Sequence, residues 1–178
     1  MKSTENCAKH LKAGALFLSG IAALVLQVPL ASAVDVGLGV ALEGSGRTVM
    51  IPIRIDFLFI EPEIQIQSQS QSGSKFQSVT PGVGVYYRKE LGALFEGYLG
   101  GKVSFGTTKQ TVGTTEFKSA SIRNGPVVGI QHFFSKQFSL GLDASLPYQH
   151  GKVKQTGQPD ETFHSWETET RVLLRAFF

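Results

Sequence analysis

From Val34 onward the chain alternates apolar and polar positions with a period of two. Val34, Val36, Leu38, Val40 and Leu42 fall on one side and Asp35, Gly37, Gly39, Ala41 and Glu43 on the other, which is the repeat of a strand with one apolar face. After a turn at Gly44-Ser45-Gly46, a second run sets Val49, Ile51, Ile53, Ile55, Phe57 and Phe59 against Thr48, Met50, Pro52, Arg54, Asp56 and Leu58. Pro52 lacks a ladder donor, so a local bulge is expected there. Glu61-Pro62 breaks the pattern, and a third, weaker run places Ile64, Ile66, Ser68 and Ser70 opposite Gln65, Gln67 and Gln69. The fourth turns Val79, Pro81, Val83, Val85 and Tyr87 outward. The fifth sets Phe95, Leu99, Val103 and Phe105 against Glu96, Tyr98, Lys102 and Ser104, and the sixth sets Ile122, Val128 and Ile130 against Arg123, Gly125, Gly129 and Gln131. The seventh alternates Phe138, Leu140, Leu142, Ala144 and Leu146 with Ser139, Gly141, Asp143 and Ser145. The last ends the chain as TRVLLRAFF, with Val172, Leu174, Ala176 and Phe178 on one side and Arg171 and Arg175 on the other.

Eight strands follow, an even number, in an antiparallel up-and-down order. Their connections divide into short ones at 60–63, 88–92 and 134–137 and longer ones at 70–77, 107–116 and 149–161, with 43–47 the exception. That asymmetry is how transmembrane barrels of the outer-membrane type are built. The aromatic residues point the same way, because a spanning barrel carries a belt at each interface. Phe57, Phe59, Tyr87, Phe95, Phe133, Phe138 and Phe178 gather at one set of strand ends, and Phe76, Phe105, Phe117, Tyr148, Phe163 and Trp166 at the other. A soluble sandwich or lipocalin-like barrel would alternate too, with the charged residues outside, but it leaves the clustered aromatics and the terminal Phe-Phe unexplained.

Residues 1–33 change how the composition reads. Lys2, Lys9 and Lys12 precede an apolar run from Ala13 to about Leu30, and Ala31-Ser32-Ala33 is a small-x-small cleavage motif. This is the three-part form of a secretory signal, with the mature domain, 34–178, beginning at Val34. The leader takes three lysines and one glutamate out of the formal charge of +3, so the basic balance no longer argues for a nucleic-acid partner. It also removes Cys7, the only cysteine, and with it disulfide or thiolate-metal chemistry. No mature segment is apolar for ~18 residues, so a membrane can be crossed only by a closed barrel, where every backbone group finds a partner.

The strand pattern, the loop asymmetry and the ending Val172, Leu174, Ala176, Phe178 resemble the small eight-stranded outer-membrane β-barrels of Gram-negative bacteria, the OmpA-transmembrane-domain and OmpX-like group. The resemblance covers 34–178. It implies an all-β transmembrane barrel in the cell outer membrane, with a final strand read by the barrel-insertion machinery, and it supplies no ligand. No peptidoglycan-binding domain is expected after the barrel.

A barrel of eight strands encloses just enough room for its own side chains. The inward set mixes acids (Asp35, Asp56, Glu96, Asp143, Glu167, Glu169) with bases (Arg54, Lys102, Arg123, Arg171, Arg175), and unpaired buried charge is costly, so these groups are expected to pair into a plug. A narrow pore lined by the same residues is the alternative, and an enzyme acting on lipid A the third reading. Ester chemistry needs a serine within reach of a histidine base. His164 and Ser165 are adjacent and so face opposite sides, His132 and Ser135 are separated by a turn, and His150 with Asp160 lies in a loop. Lys75, Lys109, Lys152 and Lys154, with Lys118 at a strand start, form a basic rim suited to the phosphates of lipopolysaccharide. No cofactor or metal motif is present, and the sequence leaves the oligomeric state open.

Overall fold

A computed structural model describes residues 34–43, 46–155 and 158–178; the expected leader at 1–33 and the turn at Gly44-Ser45 lie outside them. Val34–Phe178 is one compact unit made of eleven strand segments. They are β1 Val34–Glu43, β2 Gly46–Met50, β3 Ile53–Ile55, β4 Leu58–Gln71, β5 Ser74–Glu90, β6 Phe95–Val112, β7 Thr115–Phe133, β8 Phe138–Ser145, β9 Tyr148–Gln155, β10 Glu161–Trp166 and β11 Glu169–Phe177. Three pairs of segments are continuous in space, β2 with β3, β8 with β9 and β10 with β11, so eleven segments make eight staves. All neighbours are antiparallel, and β11 pairs with β1, closing the sheet.

The ladders keep one register throughout. On the second stave, Met50 faces Gly39 and Ile53 faces Val36, so the offset is the same on either side of Pro52. No bulge forms there. Pro52 still accepts a bond from Gly37 N at 2.8 Å, and Ile51 N donates to Pro62 O at 2.9 Å; each proline removes one donor without shifting its neighbours. A walk across the partners from Val34 through Ile55, Leu58, Tyr87, Leu99, Val128 and Ala144 ends at Thr170. Thr170 lies two residues before Val172, the partner of Leu42, so one circuit staggers the barrel by ten residues. With ~3.3 Å per residue and ~4.8 Å between strands, that stagger tilts the strands by about 40°.

Two further features differ from the sequence reading. The connection expected at 60–63 is a two-residue turn at Asp56-Phe57, with Ile55 opposite Leu58 and Asp56 in the left-handed region at φ 48°, which aspartate tolerates better than most residues. Glu61-Pro62 is consequently mid-strand. The outer connections expected at 70–77, 107–116 and 149–161 are mostly strand as well: Gln71 still faces Ser74, Val112 still faces Thr115, and β9 carries His150 in strand and runs on to Gln155. β5, β6 and β7 run 17, 18 and 19 residues, well beyond the ~9–11 that cross a bilayer. A sheet of β4, β5, β6, β7, β9 and β10 therefore extends past the barrel proper, above all on the side away from β1 and β2.

The two faces separate by chemistry. Outward positions carry the exposed apolar side chains, among them Leu42, Leu99, Val128, Leu142, Val172 and Leu174. Inward positions carry the buried charges together with Phe59, Tyr86, Tyr98, Val127 and Phe177.

Candidate functional site

The barrel interior is a column of ion pairs and aromatic rings. Two arginines of β11, Arg171 and Arg175, are each 1% exposed and point inward. Arg171 donates from Nε and Nη2 to both oxygens of Asp143, at 3.0 and 2.7 Å, and from Nη1 to Glu63 Oε2 at 2.6 Å. Arg175 donates to Glu61 Oε2 at 2.7 Å and to Gln131 Oε1 at 3.1 Å. Its guanidinium also lies over the Phe59 and Tyr98 rings, 4.9 and 5.3 Å from their centroids. Charge-assisted bonds of this kind, with bidentate geometry at Asp143, are the strong class of hydrogen bond.

The column continues toward both ends. At the end holding Val34 and Phe178, Glu96 accepts from Gln131 Nε2 at 2.6 Å and from Arg88, and Arg54 stands 3.5 Å away. Arg54 is held between the Phe133 and Phe177 rings, 5.0 and 4.8 Å from their centroids, with Asp35 at 3.7 Å. At the other end Lys102 sits 3.5 Å from both Glu63 and Glu169, and Arg123 pairs with Glu169 at 3.1 Å and Glu167 at 3.7 Å. The space left there, lined by Glu43, Glu63, Thr80, Lys102 and Glu169 among others, measures about 10 Å³, room for one water molecule at most.

Among the residues read from the sequence as interior charges, Arg54, Glu96, Lys102, Arg123, Asp143, Glu167, Glu169, Arg171 and Arg175 come together in this column. Asp56 does not: it sits exposed in the first turn, because the turn falls four residues earlier than the proline suggested. Glu61, Glu63 and Arg88 were missed for the same reason and for want of tracking the fourth strand past Tyr87. A signal for the two glutamates was present, since Ile60, Pro62, Ile64 and Ile66 alternate with Glu61, Glu63 and Gln65.

Small residues make room for the rings. A Cβ on Gly129 would lie 2.2 Å from the Tyr98 ring, and one on Gly84 would lie against the Tyr86 hydroxyl, so these positions hold glycine to let the tyrosines lie across the inner wall. Phe59, Tyr86 and Tyr98 then stack around one another with centroids 5.3–5.7 Å apart. Phe59 and Phe133 are therefore inside and not in an aromatic belt, and Phe76, Phe117 and Phe163 occupy the inward phase of the extended sheet. The outward belts keep Phe57, Tyr87, Phe95, Phe138 and Phe178 at one end, and Phe105, Tyr148 and Trp166 at the other.

The histidines lie outside the column. His132 faces outward between Phe95 and Phe134, with ring centroids 4.7 and 5.1 Å away. His150 and His164 are cross-strand partners whose rings stack at 5.9 Å and 9°, while Ser165 points to the opposite face. The lysines of the basic rim are unequal. Lys109 and Lys118 both bind Glu116, at 2.8 and 2.7 Å, and hydrogen bonding from Lys109 first, then Lys118, holds that carboxyl down from its ordinary 4.5 to about 2. Lys154 pairs with Asp160 at 3.2 Å. Lys75 lies at the tip of the β4–β5 hairpin, and Lys152 projects outward from β9.

No protein-family model and no curated protein matches the sequence. Solved structures do match in shape. A major outer membrane protein of Thermus thermophilus is 13% identical, with a TM-score of 0.56, over 82% of this chain and 100% of its own. The N-terminal β-barrel domain of Pseudomonas aeruginosa OprF is 11% identical, with a TM-score of 0.56, over 82% of this chain and 96% of its own. Neisserial surface protein A is 16% identical over 82% of this chain and 94% of its own, at a TM-score of 0.49. Eight closed antiparallel staves, apolar outside and charged within, and the path shared with the Thermus and Pseudomonas barrels make the chain, in fold, an eight-stranded transmembrane β-barrel of the outer-membrane type.

Proposed function

We propose that the protein is an exported outer-membrane barrel that is closed to solutes and acts as a structural or surface-interaction element, without catalysis, presenting its extended sheet outside the cell. The observation that carries this reading is the interior column. Arg171 and Arg175 are fully buried and tied to Glu61, Glu63 and Asp143, so any permeant ion would have to break several short, mutually supporting pairs in a low-dielectric space. Reconstituted in a planar bilayer, the protein is expected to give no stable conducting level; a long-lived, ion-selective open state would replace the plug with the pore reading. Its partners on this view are outer-membrane lipid and lipopolysaccharide.

The last strand carries a second expectation. Phe178 is 82% exposed, so its side chain adds little packing, although its backbone N–H bonds Val36 O at 2.8 Å. We read Val172, Leu174, Ala176 and Phe178 as the segment engaged by the barrel-insertion machinery. Deleting Phe178 should lower the yield of assembled barrel in the outer membrane severalfold, while barrels that do form unfold near the wild-type midpoint. Unchanged yield on a heat-modifiability gel would refute the assignment.

A further inference from the structure

The outward face of β7, β9 and β10 changes chemistry in steps along the strands. One row of cross-strand partners, Asn124, Tyr148 and Trp166, lies in the aromatic belt. The next row outward is Ile122, His150 and His164, and the one beyond is Ala120, Lys152 and Thr162. Successive rows are two residues apart, about 7 Å along a strand. The belt row also contains a notch of about 350 Å³ walled by Pro126, Tyr148 and Trp166, with the two aromatic rings 5.1 Å apart.

An apolar notch with an imidazole pair one row above it and a lysine above that matches one kind of molecule, an amphiphile with acyl chains below a phosphorylated head group. Charge complementarity supports the match. The neighbouring lysines are satisfied within the protein by Glu116 and Asp160, whereas among the described residues His150, His164 and Lys152 have no carboxylate partner. Two imidazoles stacked in parallel at 5.9 Å bring two ring N–H donors within reach of one anion.

We propose that this face is a docking site for the phosphorylated lipid A portion of lipopolysaccharide, with an acyl chain in the Pro126–Tyr148–Trp166 notch and a phosphate held by His150, His164 and Lys152. It rests on the outer-membrane reading above and narrows its basic rim to a single place. Lys109 and Lys154 are engaged in internal pairs, and Lys75 is on a different hairpin.

Trp166 is the only tryptophan of the chain, so the site carries its own reporter. The full chain, refolded from urea into zwitterionic detergent micelles, would be titrated with purified lipid A while Trp166 emission is followed. A saturable change is expected, weakened about tenfold or more by His150→Ala with His164→Ala and by Lys152→Ala, as the loss of charge-assisted bonds implies, and unaltered by Lys75→Ala. Dephosphorylated lipid A should bind at least about tenfold more weakly. An equal response to dephosphorylated lipid A, to phosphatidylglycerol or to inorganic phosphate alone would overturn the proposal, as would histidine and lysine variants that titrate like the wild type. The heat-modifiability shift of the same samples reports separately on the barrel. A shifted, folded protein with no lipid A response rejects this site and leaves the membrane reading intact, whereas loss of the shift in the wild type rejects both.

Discussion

Replacing Arg171 with alanine should cost the barrel about 3–5 kcal/mol, the usual consequence of leaving buried charges without their partner. The side chain is 1% exposed and faces three carboxylates at once, Asp143 at 2.7 Å, Glu63 at 2.6 Å and Glu61 at 3.9 Å. Its removal sets negative groups opposite one another where no solvent relieves them. Lysine should restore only part of the loss, because an ammonium is a point charge that cannot reach along Asp143 and Glu63 as the planar fork does. A compensated triple change, Arg171→Met with Glu63→Gln and Asp143→Asn, should recover much of the stability, since removing the whole ion cluster costs far less than removing one member. Urea unfolding from lipid vesicles, followed by the heat-modifiability shift, measures all three. A loss below about 1 kcal/mol for Arg171→Ala would mean that the column is hydrated and not a dry plug.

The same column shows what a sequence can and cannot give away. The inward phase of β6, β8 and β11 was readable from their alternation, and that of β7 from its two ends although Asn124 and Pro126 disturb its middle, so Glu96, Asp143, Arg171 and Arg175 could be placed inside before any partner was known. Which acid meets which base was not readable. Arg171 finds Glu63 across 108 residues and Arg175 finds Glu61 across 114, and those meetings depend on the stagger around the closed sheet, a property of all eight ladders together. The error at Asp56 and Glu61 came from giving proline too much weight. In a small sheet one missing donor can end a strand. Here Pro52, Pro62, Pro81, Pro126 and Pro147 all lie along staves whose register is the same before and after them, so each proline interrupts the ladder at most locally. The outer connections were misjudged for a related reason: polar residues such as Thr107, Thr108, Gln110 and Thr111 read as loop by composition, yet hydroxyl and β-branched side chains suit a strand that has left the membrane.

The division between the two faces leads to the test with the next largest effect. Leu142 is 50% exposed and is flanked on the sheet by Val172 and Ile130. Along its own stave it stands midway between Phe138 and Tyr148, the two belts. Leu142→Arg should therefore destabilise the vesicle-embedded barrel by about 2–4 kcal/mol, the cost of a guanidinium near the midplane of a bilayer. Asp143, one residue on, is wholly buried on the opposite side, so the substitution gains no inward partner. Thr107→Arg, also outward but two residues beyond Phe105, lies above the belt and should change stability by no more than about 0.5 kcal/mol, as surface substitutions do. The depth dependence is what discriminates. A barrel surrounded by water would accept an arginine at a half-exposed leucine as readily as at a threonine, so near-zero costs at both positions would reject the lipid-facing assignment of the entire apolar surface. A large cost at Leu142 alone requires a hydrocarbon layer bounded by the aromatic residues that flank it.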